Sequence, residues 1–199
     1  MVEPCNINGK WYTELLSYGE TQGVGEALQN AQRHFNGRND LVVLEVGVLR
    51  GHNAVNINEW LHPESLILVD PWDFCAETHA NNWSDLWYRI QAKDNITVIK
   101  ATSEKVALLI NPEIQFDYIY LDGDHIGGDL SPGTEEMGIR LDIKLWWPRV
   151  KVGGILAGHD ANYENIYAET KKVFGDKLFM SPGPLRGGME WWVYKGEIK

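Results

Sequence analysis

The chain has 199 residues, enough for one domain with a substantial hydrophobic core and too few for two full domains. Its 28 acidic residues outnumber the 18 basic ones, and the formal net charge of −10 argues against nucleic acid as a partner. Because the first residues lack the basic flank and apolar core of a signal peptide, and no apolar stretch is long enough to span a bilayer, we expect a cytoplasmic protein with no membrane partner.

Helix-like and strand-like segments alternate along the chain, which predicts an α/β fold around a mainly parallel sheet. We expect a single domain over 1–199, with an N-terminal helical cap in residues 1–40 and a core in 41–199. The predicted helices are 11–36, 53–61, 83–92, 102–110, 141–150 and 163–174. The predicted parallel strands are 41–46, 66–70, 96–99, 116–122 and 155–158, with Gly153-Gly154 separating the last strand from the preceding helix. Residues 177–180 and 191–195 are predicted to pair as antiparallel strands.

The first strand ends in a glycine turn, Glu45-Val46-Gly47-Val48-Leu49-Arg50-Gly51. Glycines at such a turn let backbone N–H groups approach a ligand where a helix begins. The next strand ends in Asp70, where a carboxylate can accept both hydroxyls of a ribose. The pattern is not the Gly-x-Gly-x-x-Gly of dinucleotide sites, and an acidic residue stands where a diphosphate would be repelled. The turn therefore predicts a nucleoside ligand that carries positive charge.

A second polar cluster, Asp122-Gly123-Asp124-His125, follows the fourth predicted strand. The fifth predicted strand ends in Gly158-His159-Asp160. Ligands of open parallel sheets bind beyond the carboxyl ends of the strands, so these groups are expected to face the same crevice as Glu45 and Asp70.

Together these segments resemble the class I S-adenosylmethionine-dependent methyltransferases, and the resemblance covers most of the chain from residue 41. It implies a Rossmann-like fold with a mainly parallel seven-stranded sheet ending in a C-terminal antiparallel hairpin. Asp-Gly-Asp-His and Gly-His-Asp at two strand ends resemble the small-molecule O-methyltransferase branch. Leu49 departs from the pattern, because many members carry a further glycine there, and this predicts a stiffer loop.

The resemblance implies a set of residues that bind S-adenosylmethionine. Glu45 would meet the amino group of the methionine end, and Asp70 would bind the ribose. Asn53, at the start of a helix, would reach the methionine carboxylate. Trp72 would supply a face for adenine, and Thr102 and Ser103 would contact the same ring or cap a helix. The other cofactor-binding positions are Gly47, Val48, Gly51 and Asp122.

The same branch implies chemistry at the second cluster. His125 would act as general base on the acceptor hydroxyl, with Asp122 as a second catalytic residue beside it. Related enzymes use a magnesium ion held by carboxylates, and Asp122 and Asp160 would be the corresponding ligands. His159 stands where one branch has a carboxylate, and imidazole suits other divalent metals better than Mg²⁺. The structural alternative is that Asp122, Asp124 and His125 only hydrogen-bond a strand-to-helix turn.

The substrate is expected to be a small molecule such as a sugar or another hydroxylated metabolite. Trp11, Tyr12, Trp83 and the loop 127–138 are candidates for its pocket, whereas Trp60, Trp87, Trp146 and Trp191 or Trp192 are predicted to cover the core. Two alternatives remain: an N-methyltransferase or metal-independent relative, and a noncatalytic module that only binds the cofactor. Nothing in the sequence indicates an oligomeric state.

Overall fold

The computed structural model describes residues 24–72, 82–91, 93–123, 138–182 and 189–196. The strands in these ranges are β1 Val42–Val46, β2 Ser65–Asp70, β3 Ile96–Lys100, β4 Phe116–Leu121, β5 Val150–Gly158, β6 Phe179–Pro182 and β7 Met189–Tyr194. The helices are α1 Glu26–His34, α2 His52–Leu61, α3 Asn82–Ile90, α4 Ser103–Leu109, α5 Ile139–Trp146 and α6 Glu164–Phe174. Two 3-10 turns, Trp147–Arg149 and Gly175–Lys177, follow α5 and α6.

The strands form one seven-stranded sheet in the order β3-β2-β1-β4-β5-β7-β6. β1 to β5 run parallel, and β7 pairs antiparallel with both β5 and β6. The predicted α/β fold and its C-terminal antiparallel pair are therefore confirmed. Because β1 and β4 are neighbours at the middle of the sheet although they are far apart in sequence, a crevice opens between their carboxyl ends, where ligands of such sheets bind.

Each face of the sheet is covered by three of the described helices. On one face, α1, α2 and α3 bury Ala31, Ile57 and Leu86 against strand residues such as Val43 and Leu68. On the other face, α4, α5 and α6 bury their own apolar side chains, which are Val106, Ala107, Ile143, Trp146, Ile166 and Phe174. The described part of the N-terminal region thus packs in the same core as the sheet, and residues 11–23 of the predicted first helix lie outside the described ranges.

The expected break at Gly153-Gly154 is wrong. The helix predicted over 141–150 ends at Trp146, a 3-10 turn follows, and β5 already begins at Val150 and continues through both glycines. The pairing of β4 with β5 shifts register between Phe116 and Tyr118, as at a β-bulge. A Cβ on Gly154 would lie 2.8 Å from the carbonyl oxygen of Asp117, so close strand approach explains this glycine.

The tryptophans divide differently from the prediction. Trp146 and Trp191 are fully buried and Trp192 nearly so, as expected. Trp60 and Trp87 are 40% and 42% exposed, so the expectation that they cover the core is wrong.

In the described part of the chain, no helix combines the length and apolar character that a membrane span requires.

Asp117 ties together three parts of the fold at the edge of the sheet opposite the crevice. Its buried carboxylate accepts hydrogen bonds from Arg38 Nη1 at 2.7 Å, Lys151 Nζ at 2.7 Å and the backbone N–H of Val42 at 2.9 Å. Hydrogen bonds to a buried charged group are stronger than neutral ones, and removing that charge leaves the donors without a charged acceptor.

We expect Asp117→Asn to lower the free energy of unfolding by about 2 kcal/mol, because the amide turns N–H groups toward donors. Urea denaturation measures this loss. The matched control is Asp40→Asn, since Asp40 also pairs with Arg38, at 2.8 Å, but its side chain is 64% exposed. We expect no resolvable change for the control. Equal losses in both variants would contradict the assignment of Asp117 as a buried anchor.

Candidate active site

Polar residues from four strands meet at the carboxyl edge of the sheet. Gly47 follows β1, Asp70 ends β2, Asp122 follows β4 and His159 follows β5. Backbone hydrogen bonds continue past the strand ends: the N–H of Asp122 donates to Val46 at 2.7 Å, and the N–H of His159 donates to Leu121 at 3.2 Å. The sheet register therefore places Asp122 and His159, the described ends of the two sequence clusters, side by side, as the spacing predicted.

Both glycines of the first turn are required by the backbone. Gly47 and Gly51 have φ angles of +82° and +78°, in the left-handed region that favours glycine. A Cβ on Gly47 would overlap the carbonyl oxygen of Asp122, and one on Gly51 would lie 2.5 Å from Leu86 Cδ1. The glycines thus allow the β1–α2 loop to lie directly against the end of β4 and against α3.

The N–H groups of this loop are paired within the protein. Gly47 donates to the carbonyl of Val69 at 2.9 Å, and Gly51 donates to that of Val48 at 2.8 Å. Val48 and Leu49 both donate to Asp70 Oδ2 at 2.9 Å. These N–H groups thus have partners within the protein, on β2 for Gly47, Val48 and Leu49 and within the loop for Gly51. Cofactor contacts by Gly47, Val48 and Gly51 stay predictions.

Two non-glycine residues adopt left-handed backbone beside Asp70. Leu49 has a φ of 50° and Trp72 a φ of 44°. The indole N–H of Trp72 donates to the carbonyl of Leu49 at 2.8 Å, and the backbone N–H of Trp72 donates to Asp70 Oδ1 at 2.7 Å. The position where many methyltransferases carry glycine thus takes a glycine-like conformation here with a leucine.

We expect Leu49→Gly to raise the free energy of unfolding by about 1 kcal/mol, because it removes the strain of a left-handed leucine, partly offset by glycine's larger unfolded-state entropy. Thermal and urea denaturation measure the change. Leu108→Gly is the control, since Leu108 is also exposed but lies within helix α4, and it should lose about 1 kcal/mol. A loss of stability in both Leu49→Gly and Leu108→Gly would contradict backbone strain at Leu49.

Glu45 is a buried carboxylate beneath the crevice. It is 1% exposed, its Oε1 accepts a hydrogen bond from Asn53 Nδ2 at 3.1 Å, and its buried Oε2 has no hydrogen-bond partner in the part of the chain that the structure describes. Burial raises the pKa of Glu45 well above its usual range, and the charges of Asp122 and Asp70 raise it further. Asn53 directs one amide N–H at Glu45, and its predicted contact with a methionine carboxylate stays a prediction.

Asp122, His159 and Asp160 form the second part of the site. One ligand atom from each of the three lies within 4.8 Å of the others. His159 Nδ1 is 2.9 Å from Asp160 Oδ1 and 3.9 Å from Asp122 Oδ1. Burial lowers the pKa of His159, but the hydrogen bond to Asp160 and the nearby negative charges outweigh it, so the net pKa is raised. The arrangement attracts a cation, whether a proton on the imidazole or a metal ion.

The β3–α4 connection uses its hydroxyl groups within the protein. Thr102 caps α4, where its Oγ1 accepts the N–H of Lys105 at 3.4 Å, which confirms the capping role. Ser103 Oγ donates to Asp142 Oδ1 and accepts the indole N–H of Trp146 at 2.8 Å. An adenine contact from Thr102 or Ser103 stays a prediction.

Aromatic side chains pack together beyond the end of β2. The rings of Trp72 and Trp83 meet edge to face at 4.8 Å, and Trp83 meets Trp87 in the same way at 5.6 Å. Lys100 Nζ lies 5.6 Å from the centre of the Trp83 ring. Trp72 and Trp83, predicted as adenine and substrate contacts, are therefore next to each other.

Several predicted residues lie outside the described ranges. These are Asp124 and His125, the substrate-pocket candidates Trp11 and Tyr12, and residues 127–137 of the predicted loop. Their roles stay predictions.

Sequence reasoning missed two buried acids near the site. Glu190, on β7, accepts the N–H of Ala27 at 2.9 Å and the hydroxyl of Tyr120 at 3.1 Å, and burial raises its pKa. Asp142, on α5, binds Ser103 and lies behind Gly123. The available signal was an acidic residue within an otherwise apolar element, as in Met189-Glu190-Trp191-Trp192.

Comparison with known proteins identifies the family of the chain. Residues 44–161 match a family model described as a methyltransferase domain. No significant match was found among curated protein sequences. An O-methyltransferase from Bacillus cereus solved in complex with SAH is 14% identical, covers 96% of this chain and 93% of its own, and has a TM-score of 0.59. Precorrin-6y C5,15-methyltransferase from Geobacter metallireducens is 12% identical, covers 86% of this chain and 88% of its own, and has a TM-score of 0.60. At these identities the structures show a shared fold.

Proposed function

Because this chain belongs to the methyltransferase domain family, we propose that it is an S-adenosylmethionine-dependent methyltransferase whose acceptor is a hydroxyl group of a small molecule. The family membership supplies the reaction class and the cofactor. The acceptor and the residues that serve it are inferred from the site itself.

The observation that carries the cofactor assignment is that the buried Oε2 of Glu45 has no hydrogen-bond partner among the described residues. A buried carboxylate oxygen without a hydrogen bond is costly, and a charged ammonium group would satisfy it. The methionine end of S-adenosylmethionine carries an ammonium group, and its sulfur is also positive. Asp70 and Asp122 add negative charge to the crevice, and a bound ammonium group would favour the ionised form of Glu45.

The acceptor hydroxyl is placed at the ends of β4 and β5, beside Asp122 and His159. In the reaction, the hydroxyl oxygen attacks the methyl carbon while the carbon–sulfur bond breaks and leaves S-adenosylhomocysteine. The hydroxyl proton passes to a base, which we assign to His125 from its place three residues after Asp122. In-line placement of oxygen, methyl and sulfur supplies much of the rate.

A small-molecule acceptor, rather than nucleic acid, agrees with the charge of the chain. The net charge of −10 disfavours a polyanionic substrate. The Trp72 and Trp83 rings pack edge to face beyond the end of β2 and offer flat apolar surface of the kind that lines small-molecule pockets.

A divalent metal is a separate part of the proposal. Two carboxylates and an imidazole within 4.8 Å fit a divalent ion, and the nitrogen donor favours a metal softer than Mg²⁺. When bound, the metal would lower the pKa of the acceptor hydroxyl. Asp122, His159 and Asp160 would bind it, and it would replace the proton that His159 shares with Asp160.

The test combines binding and product analysis. We expect calorimetric titration to detect S-adenosylhomocysteine binding to the wild-type chain. Incubation with labelled S-adenosylmethionine and a panel of hydroxylated or amine acceptors should then label hydroxyl oxygens, with the position read by NMR. Label on nitrogen alone would replace the O-methyltransferase assignment, and absence of cofactor binding would overturn the proposal as a whole.

The metal is tested by direct titration of the chain with Mn²⁺, Zn²⁺ or Mg²⁺, using Asp160→Asn as the variant that removes one donor. We expect binding that the variant weakens by about tenfold or more. Undetectable binding of all three ions, with cofactor binding intact, would leave a metal-independent enzyme in which His159 and Asp160 form an ion pair.

A further inference from the structure

Strand β3 is one edge of the sheet, and its outer side pairs with no other strand among the described residues. Asn95 accepts an N–H group of β2 at 2.9 Å, and Ala101 donates its own N–H to β2 at 3.1 Å. Because successive residues of a strand alternate in direction, the N–H and C=O groups of Val98 and Lys100 face away from β2. These outward groups are available to a further strand.

The composition of β3 does not protect this edge from pairing. Natural proteins blunt exposed edges with proline, charged side chains, bulges or very short strands. β3 is Ile96-Thr97-Val98-Ile99-Lys100, which contains four β-branched residues and a single charge at its last position. β6, at the opposite edge, is four residues long and ends in Pro182. Of the two edges, β3 is therefore the one suited to pairing.

Exposed aromatic surface borders the β3 edge on the face that α3 covers. Trp83 and Trp87 lie one turn apart on α3, and their rings meet edge to face at 5.6 Å. Lys100 Nζ, at the end of β3, lies 5.6 Å from the centre of the Trp83 ring. This side of α3 therefore faces β3, and Trp87 is partly exposed on it.

Exposed leucine borders the same edge on the other face. Helix α4 contacts β2 and α5, so it lies between α5 and the β3 edge. Ser103 binds Asp142 of α5, and Ala107 shares that side of the helix because it is one turn later. Residues two apart in a helix point to nearly opposite sides, so Leu109 faces the β3 side. Its side chain is 82% exposed.

We propose that β3 pairs antiparallel with β3 of a second copy of this chain, about a two-fold axis at Val98, to form a homodimer. The outward groups set this register. At the axis the two Val98 residues exchange both backbone hydrogen bonds, and the N–H of Lys100 donates to the carbonyl of Ile96 in the second copy. The proposal concerns an outer edge of the sheet and does not depend on the proposed function.

A second copy fits the β3 edge in shape and in charge. The two-fold axis is perpendicular to the sheet, so α3 of one copy lies beside α3 of the other, and α4 beside α4. Trp87 then meets the equivalent aromatic surface, and Leu109 the equivalent leucine surface. Asp94 precedes β3 and Lys100 ends it, so antiparallel pairing brings these opposite charges close together on each side of the axis.

Sedimentation velocity of the full chain over a range of concentrations tests the dimer. We expect a species with twice the mass of one chain, which dissociates on dilution. A wild-type chain that stays monomeric up to about 200 μM would overturn the proposal and leave the β3 edge to a different partner.

Leu109→Glu tests whether the dimer uses this edge. The charge enters both halves of the interface, so we expect the dimer to dissociate about a hundredfold more readily. Leu108→Glu is the matched control, because Leu108 is 78% exposed on the same helix but points about 100° away from Leu109. The control should stay within about threefold of wild type. Equal effects of the two substitutions would contradict the interface.

Amide hydrogen exchange locates the pairing within β3. In the dimer the amides of Val98 and Lys100 should be protected, and they should exchange faster in Leu109→Glu. The amides of Thr97 and Ile99 face β2 and should stay protected in both proteins. A dimer whose Val98 and Lys100 amides exchange as fast as those of the monomer would place the contact elsewhere and overturn the proposal.

Discussion

Replacing Gly47 with alanine is expected to abolish cofactor binding, with affinity for S-adenosylhomocysteine falling more than about hundredfold. The new Cβ would overlap the carbonyl of Asp122 and lie 2.5 Å from the backbone nitrogen of Gly123. Both obstacles are main-chain atoms at the end of β4, so they cannot turn aside as a flexible side chain would. Either the loop or the strand end must move, and both form the site.

The same substitution carries a second cost, because Gly47 has a φ of +82°. Left-handed backbone and a buried overlap together should lower the free energy of unfolding by about 3 kcal/mol. Urea denaturation and calorimetric titration measure the two effects separately.

Gly37→Ala is the matched control for Gly47→Ala. Gly37 has nearly the same φ, +80°, but a Cβ there would meet nothing within 4 Å. It should lose only about 1 kcal/mol of stability and retain cofactor affinity. The difference between the two variants isolates the overlap with β4. Affinity of Gly47→Ala within about threefold of wild type would contradict the close approach of the loop to Asp122.

The sequence was most informative where one strand meets one turn. Apolar runs bounded by glycine or acidic residues predicted β1, β2 and β4 to within a residue or two, because buried parallel strands leave little choice of residue type. Parallel strands end at the same edge, so the meeting of Asp122 with His159 also followed from the pattern.

The missed features depend on tertiary neighbours. Gly153-Gly154 resembles a loop in sequence, and only the approach of Asp117 from β4 shows why a strand needs glycine there. The partners of Asp70 are backbone N–H groups, which leave no trace in residue type. Glu190 reaches Ala27 and Tyr120 because β7 returns antiparallel beside β5, a pairing whose register local sequence does not specify.

Glu45→Gln is expected to weaken S-adenosylhomocysteine binding by about hundredfold, because it replaces the buried carboxylate that would pair with the ligand's ammonium group. Glutamine retains an oxygen for the hydrogen bond from Asn53 Nδ2, so the local geometry should persist. Calorimetry at pH 7 measures the loss. Glu190→Gln is the control, since it also neutralises a buried acid but at the contact with α1, and it should change affinity by less than about threefold.

Without ligand, Glu45→Gln should be more stable than wild type at neutral and higher pH. Burial raises the pKa of Glu45 in the folded state, so the folded protein favours the protonated carboxyl. The stability that this group contributes is present below its unfolded pKa and is lost as the pH rises through the folded pKa. Glutamine cannot ionise, and its advantage in melting temperature should therefore be larger at pH 8 than at pH 5.

Bound ligand should reverse the stability order of wild type and Glu45→Gln. Saturating S-adenosylhomocysteine stabilises wild type in proportion to its affinity, and the variant gains far less. We therefore expect Glu45→Gln to be more stable than wild type without ligand and less stable than wild type in the complex. This reversal distinguishes a carboxylate that binds the ligand from one that only fills the core. A stability gain that is the same at pH 5 and pH 8 would show that Glu45 ionisation is not its cause. Unchanged affinity would remove Glu45 from the ammonium site.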